Sequence, residues 1–99
     1  METFRANMAE DVAELREAFR ADNASRARHY LLDIKGASAY IGAEVVFSQV
    51  SRMDGLCARN DMRSSAAMMD QLATEVDAAI GLMDKYIAEV TRGESAPRE

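Results

Sequence analysis

The residues of this chain that could carry out chemistry lie close together in the stretch RHYLLDIKGASAYIGA, residues 28–43. It contains His29, the one histidine of the sequence, and a Lys35-Gly36 pair six positions later. An imidazole nitrogen can attack phosphorus and hold a phosphoryl group, and a nearby lysine can neutralise the charge of that group. The stretch therefore raises the possibility of a phosphoryl-accepting site, although the apolar Leu32 stands between the histidine and the lysine.

The composition narrows the range of partners. The 99 residues fit one domain and carry 17 acidic against 12 basic side chains, a formal net charge of −5 without any long block of like charge. Nucleic acid is therefore not an expected partner, because its binding relies on clustered Lys and Arg. A single cysteine excludes an intrachain disulfide and a multi-cysteine metal site, and no Glu-x-x-His pair occurs. We expect neither a metal nor a cofactor.

The hydropathy pattern also bears on location. The longest nearly uncharged stretches are much shorter than the roughly 20 apolar residues that a bilayer requires. The N-terminal segment METFRANMAEDVAELREAF mixes charged with apolar residues, which is unlike a secretion signal. The expectation is a protein without a membrane span, in a reducing, cytoplasmic setting.

Four amphipathic helices are predicted to position the candidate residues. Apolar residues make up 48% of the chain and aromatic residues only 6%, and the one proline is Pro97, so the sequence favours helix throughout. Apolar side chains recur every three or four positions in four segments. The predicted inner stripes are Phe4, Met8, Val12, Leu15 and Phe19; Ala27, Tyr30, Leu31, Ile34, Ser38 and Ile41; Val45, Val46, Val50, Met53, Leu56 and Cys57; and Met69, Leu72, Val76, Ala79, Ile80, Met83, Ile87 and Val90.

Turn-forming residues mark the predicted helix ends. Asn23 is placed to cap the second helix, and Gly42 is placed to bend or end it. Asn60 or Asp61 is placed to cap the fourth helix, whose apolar pattern stops at Gly93.

Short connections between amphipathic helices favour antiparallel neighbours. The predicted fold is accordingly all-α, an up-and-down antiparallel four-helix bundle. One bundle domain is expected over residues 1–92, followed by a flexible polar tail at residues 93–99.

The outward side of the second helix has an unusual composition. A rotation of 100° per residue places Leu32, His29, Gly36 and Tyr40 away from the inner stripe. A glycine inside a helix costs about 1 kcal/mol relative to alanine. Gly36 either lets the backbone of a partner molecule approach closely or packs against a neighbouring helix. The sequence favours the first alternative, a partner-binding surface.

The segment LLDIKGASAYIGA resembles the signature of histidine-containing phosphotransfer (HPt) domains, in which Ala-His-x-Leu-Lys-Gly precedes small residues and an apolar-Gly-Ala step. Ile34, Lys35 and Gly36 match the Leu-Lys-Gly, and residues 41–43 match the final step. The resemblance covers roughly residues 10–90. It implies a four-helix bundle that works with a receiver domain or a histidine kinase of a two-component phosphorelay.

The sequence departs from that signature at the decisive position. The phosphoaccepting histidine of the family lies three residues before the lysine, where this chain has Leu32. A leucine side chain has no lone pair with which to attack phosphorus. His29 lies one turn earlier, displaced by about 4.5 Å along the helix and by about 60° around it, and roughly 120° away from Lys35. The alternative for His29 is a surface residue that pairs with Asp33 when protonated.

Other residues near this site have two interpretations each. Lys35 either enters the acidic pocket of a receiver domain or is simply solvated. Arg26 and Arg28 lie on the same helix and could broaden a positive edge. Cys57 falls on an inner stripe, which favours a buried and inert thiol.

Three functional hypotheses follow, and none of them makes the protein an enzyme. In the first, an HPt-like module binds a receiver domain of a response regulator or a histidine kinase without being phosphorylated, through Leu32, Lys35, Gly36, Tyr40 and His29. In the second, the protein is a working phosphocarrier that uses His29 in an altered docking geometry. In the third, a patch around Leu32 and Tyr40 holds copies of the chain together.

Overall fold

The computed structural model describes residues 2–95, together with the side chains of residues 5–86, 88 and 89. Within residues 2–95 the chain forms five α-helices and no strand, which confirms the all-α prediction. The helices are α1 (Glu2–Arg20), α2 (Ala24–Ile41), α3 (Glu44–Ala58), α4 (Met62–Ala67) and α5 (Met69–Ser95).

Contacts between the helices establish an up-and-down arrangement. Arg28 on α2 pairs with Asp54 near the end of α3, and Lys35, further along α2, meets Phe47 near the start of α3. α1 and α5 are likewise antiparallel, because Arg5 pairs with Asp84 and Arg16 pairs with Asp70. The predicted antiparallel bundle is therefore confirmed, with α4 and α5 together in the place of the fourth helix.

The fourth helix is not continuous, which corrects the prediction of one long helix. The N–H of Met68 bonds to the carbonyl of Ser65, three residues back, and so interrupts the four-residue ladder of an α-helix. Ser65 is buried, and its hydroxyl donates to the carbonyl of Met53 at 2.9 Å. This bond fixes α4 against α3, and α5 then begins at Met69.

The predicted caps are confirmed. The side chain of Asn23 accepts a hydrogen bond from the N–H of Arg26, and that of Asp61 accepts one from the N–H of Ser64. Gly42 ends α2 in a left-handed conformation at φ 73°, which glycine adopts without steric cost. α5, however, continues through Gly93 to Ser95. Residues 96–99 of the predicted tail lie outside the described residues.

The core has largely the composition that the inner stripes predicted, with two exceptions: Val45 is exposed, and Ala18 is buried although no stripe included it. Its buried apolar members are Met8, Leu15, Ala18, Ala27, Leu31, Ile34, Val46, Val50, Met53, Cys57, Met69, Leu72 and Val76. Val45 was wrongly placed in the third stripe: it is 57% exposed, because Val46 takes the core position and Val45 lies about 100° further round α3. Three residues of the predicted stripes, Phe4, Ile87 and Val90, have side chains outside the described set.

The length and the apolar character of the helices bear on membrane insertion. Among residues 2–95, none of the helices combines the length and the apolar character needed to cross a bilayer.

Candidate partner-binding surface

Helix α2 presents the predicted residues because its opposite side is fixed in the core. Ala27, Leu31, Ile34 and Ser38 are fully buried, and α2 packs against both α1 and α3. The side that remains open carries His29, Leu32, Gly36 and Tyr40, with Lys35 at its α3 edge; we call these five residues the α2 outer face. The rotation inferred for this helix from the sequence is therefore correct.

Two apolar side chains dominate this face. Leu32 is 54% exposed and Tyr40 is 83% exposed. They lie eight residues apart, about two helical turns, with Gly36 halfway between them. An exposed leucine and an exposed aromatic residue on one helix face form a composition typical of protein contact sites.

Gly36 leaves a gap between those side chains. A Cβ atom built on this residue would meet nothing within 4 Å, so no neighbouring helix requires the glycine. The alternative that Gly36 allows helix packing within the bundle is therefore wrong. The free space instead faces outward, where a partner's backbone could come close to the helix.

Lys35 is held at the α3 edge by an aromatic ring. Its Nζ atom lies 5.2 Å from the ring centre of Phe47, and the side chain is half-buried. A cation at this distance is attracted by the face of the ring. Beside this pair lies an open cavity of about 360 Å³, lined by Ser38, Ala39, Gly42, Ala43, Glu44 and Phe47. Phe47 thus lines this cavity and also contacts the ammonium group of Lys35.

The two arginines do not broaden the positive edge, which corrects that prediction. Arg26 pairs with Glu14 on α1, and the Nε of Arg28 lies 2.9 Å from Oδ1 of Asp54 on α3. These hydrogen bonds to Glu14 and Asp54 raise the pKa of both guanidinium groups above an already high value, so both groups stay protonated. Their charge is therefore offset by carboxylates of the bundle, which leaves Lys35 as the predicted cation of this edge within the described residues.

His29 lies at the other edge of the face, toward α1. Its Nε2 is 3.6 Å from Oδ2 of Asp33, as the i,i+4 alternative predicted, and its ring meets that of Tyr30 edge-on at 5.0 Å. The imidazole is well exposed. Lys35, in contrast, lies against α3, so the histidine and the lysine are on opposite edges of the helix. A phosphoryl group on His29 would sit near Asp33 and away from the cation that should stabilise it.

A groove lined by carboxylates lies between α1 and α2, beside Asp33. The groove has a volume of about 330 Å³ and is lined by Asn7, Met8, Glu10, Asp11, Asp33 and Ala37. Burial and the nearby charges of Asp33 and Glu10 raise the pKa of Asp11 to about 6, while His29 acts in the opposite direction. The α1 side of the α2 outer face is consequently negative, which is unfavourable for a second anion.

Several exposed apolar residues were not predicted from the sequence. Phe47 on α3 was not singled out, although it forms the ring under Lys35. Leu82 and Tyr86 on α5 are 69% and 67% exposed. Their spacing of four residues was visible in the sequence, but the stronger pattern of the core stripe obscured it. Among the described residues, no group of three or more His, Cys, Asp or Glu side chains is placed to hold a metal ion.

Comparison with known proteins identifies the family of the chain. The family model of the Hpt domain matches residues 1–81, most of the chain. The chain therefore belongs to the Hpt domain family.

One curated relative extends the comparison. The chain is 23% identical over 86 residues to the phosphorelay intermediate protein rdeA of Dictyostelium discoideum. The match covers 87% of this chain and 34% of that protein, so the chain spans about a third of the length of the curated relative it matches. No solved structure gives a significant match.

Proposed function

We propose that this protein is a phosphorelay signalling module that binds a receiver domain through the α2 outer face without accepting the phosphoryl group itself. Membership of the Hpt family and similarity to a phosphorelay intermediate support the signalling role. In this role the protein acts as a binding and regulatory module and not as an enzyme.

The observation that carries the proposal is the position of Leu32. It stands three residues before Lys35, where the HPt signature that this segment resembles has its phosphoaccepting histidine, and more than half of its surface is exposed. A leucine there has no nucleophilic atom but can enter an apolar socket on a partner. The site therefore retains Lys35 and Gly36 of the family signature and lacks the histidine that would react.

Lys35 and Gly36 support docking by their own geometry. The ammonium group of Lys35 is held near the Phe47 ring, at the α3 edge of α2. It can meet the carboxylates of a receiver domain, since opposite charges steer and align two docking surfaces. The open space at Gly36 admits the partner's backbone between Leu32 and Tyr40.

Binding measurements with paired leucine variants test the docking surface. A panel of purified receiver domains from the source organism is measured against the wild-type protein, Leu32→Asp and Leu82→Asp. Both leucines are exposed, so neither change should unfold the bundle. At least one receiver domain should bind, Leu32→Asp should raise its Kd at least about tenfold, and Leu82→Asp should leave it within about twofold. Equal effects of the two variants, or no binding in the panel, would contradict the proposal.

A gain-of-function variant tests the missing chemistry. Leu32→His places an imidazole one turn before Lys35, on the exposed side of α2. Incubated with a phosphorylated receiver domain that binds, this variant should take up an acid-labile phosphoryl label, whereas the wild-type protein should not. A label on the wild-type protein that disappears in His29→Gln would establish instead that His29 is the phosphoacceptor.

A further inference from the structure

Helix α5 carries a second stripe of residues that the bundle does not cover. Gln71, Glu75, Ala78, Leu82, Lys85 and Glu89 follow one another at alternating steps of four and three; we call them the α5 outer stripe. It lies about 120° round the helix from the buried side chains of Leu72 and Val76. Glu75 is half-buried, and the five others are exposed. Alternating steps of four and three are the heptad pattern by which two helices pack along a seam.

The centre of this stripe is apolar and open. Leu82 is 69% exposed, and Tyr86 and Val45 beside it are 67% and 57% exposed. Two open cavities of about 250 and 290 Å³ flank Leu82. An exposed apolar cluster with room beside it is a surface suited to another helix.

The stripe is complementary to itself in one antiparallel register. When two copies of α5 lie side by side with residue numbers that sum to 160, Leu82 faces the partner's Ala78 and Glu75 faces the partner's Lys85. Gln71 then faces the partner's Glu89. Two-fold symmetry repeats each pairing. In this one register a large side chain faces a small one, an acidic side chain faces a basic one, and an amide faces a carboxylate. Glu75 is already oriented along the stripe by a hydrogen bond from Gln71 at 3.3 Å.

We infer that a second copy of this chain packs on the α5 outer stripe, forming an antiparallel two-fold dimer. Charge complementarity between Glu75 and the partner's Lys85 selects the register, and Leu82 supplies the apolar anchor. The contact is short, so its Kd should be on the order of 100 µM. This inference does not depend on the proposed function.

The proposed dimer leaves the α2 outer face accessible around Leu32. α2 packs between α1 and α3, with its outer face directed away from the core. α5 packs against α1 and α3, and it borders α2 at the C-terminal end, where Ile41 and Gly42 line a cavity together with Leu82. A dimer through α5 therefore leaves the part of each α2 outer face around Leu32 free to bind a partner.

Sedimentation equilibrium from about 10 µM to about 1 mM tests the inference on the full chain. The wild-type protein should be in a concentration-dependent monomer-dimer equilibrium. Leu82→Asp should raise the dimer Kd at least tenfold, whereas Leu32→Asp, the matched exposed leucine, should leave it unchanged. A monomer throughout this range, or a dimer that Leu82→Asp does not weaken, overturns the inference; loss through Leu32→Asp would place self-association on α2 instead.

A charge-swap series tests the register independently of leucine. Glu75→Lys and Lys85→Glu should each weaken the dimer about tenfold, because like charges then face each other. The double variant should return the Kd to within about threefold of the wild-type value, with circular dichroism confirming equal helicity for all forms. Failure of the double variant to restore association contradicts the antiparallel register. Since no receiver domain takes part, a negative result here leaves the proposed function untouched.

Discussion

The ammonium group of Lys35 lies 5.2 Å from the ring centre of Phe47, so a cation of α2 rests on an aromatic ring of α3. The contact keeps the charge at the α3 edge of the α2 outer face, opposite the edge that carries His29. It also joins two helices near their connecting turn. The position of this single cation is therefore determined by a side chain from a different helix.

A double-mutant cycle measures that contact. Phe47→Leu should lower the free energy of unfolding by about 0.5–1 kcal/mol, because a cation over an exposed ring contributes about that much. Lys35→Met should lose a similar amount alone and little more once Phe47 is replaced. Urea denaturation of the four proteins gives the coupling energy. Strictly additive losses would mean that the ring and the ammonium group do not interact in solution.

Gly36→Ala should separate stability from binding. A Cβ at this position meets nothing within 4 Å, so the variant gains helix propensity without a clash and should be about 1 kcal/mol more stable. The added methyl group should at the same time weaken receiver binding, because it fills the gap beside Leu32. Gly81→Ala on α5 is the matched control: it has the same open space, and it should gain stability without any loss of binding. A Gly36→Ala variant with unchanged affinity would remove Gly36 from the contact.

Asp11 should make the protein less stable at neutral pH than in mild acid. Its pKa is about 6 in the folded chain against an ordinary value of 3.8, chiefly because of burial and then because of Asp33 and Glu10. Between these two pH values the folded state holds the proton more tightly than the unfolded state, so this carboxyl lowers the free energy of unfolding as the pH rises from 3.8 to 6. Above pH 6 the loss stays constant.

Asp11→Asn should remove that loss in the free energy of unfolding. At pH 7 the variant should be more stable by on the order of 1 kcal/mol, a value reduced because water partly screens the half-buried group. At pH 3.5 the two proteins should be nearly equal. Asp77→Asn, on the exposed side of α5, should change stability by less than about 0.5 kcal/mol at either pH. Thermal melts across the pH range provide the comparison, and parallel curves for Asp11→Asn and wild type would contradict it.

Features that depend on neighbouring residues in the sequence could be predicted from it. The side chain of Asn23 bonds to an N–H only three residues away, and Gly42 ends α2 through its own backbone freedom. The exposure of Leu32 and Tyr40 follows from 100° of rotation per residue once the buried side of α2 is known. The candidate site was therefore found in the sequence because it lies on a single helix.

Features that depend on contacts between helices were missed. Arg26 pairs with Glu14 of α1, and Arg28 pairs with Asp54 of α3. The pattern of one helix does not reveal which helices lie beside it or in which register they pack, so these pairs could not be predicted. The interruption at Met68 has the same origin, since the buried hydroxyl of Ser65 is fixed by a carbonyl of α3. An amphipathic pattern records which side of a helix is apolar but not what it packs against.

The buried thiol of Cys57 can be used to measure how often the core opens. Its surface is only 3% exposed, and its Sγ donates to the hydroxyl of Ser65 at 3.4 Å, between α3 and α4. An alkylating reagent can reach this sulfur only in molecules whose α3–α4 corner has opened. In a chain without tryptophan, the rate of thiol modification thus reports opening of the core without any added dye or label.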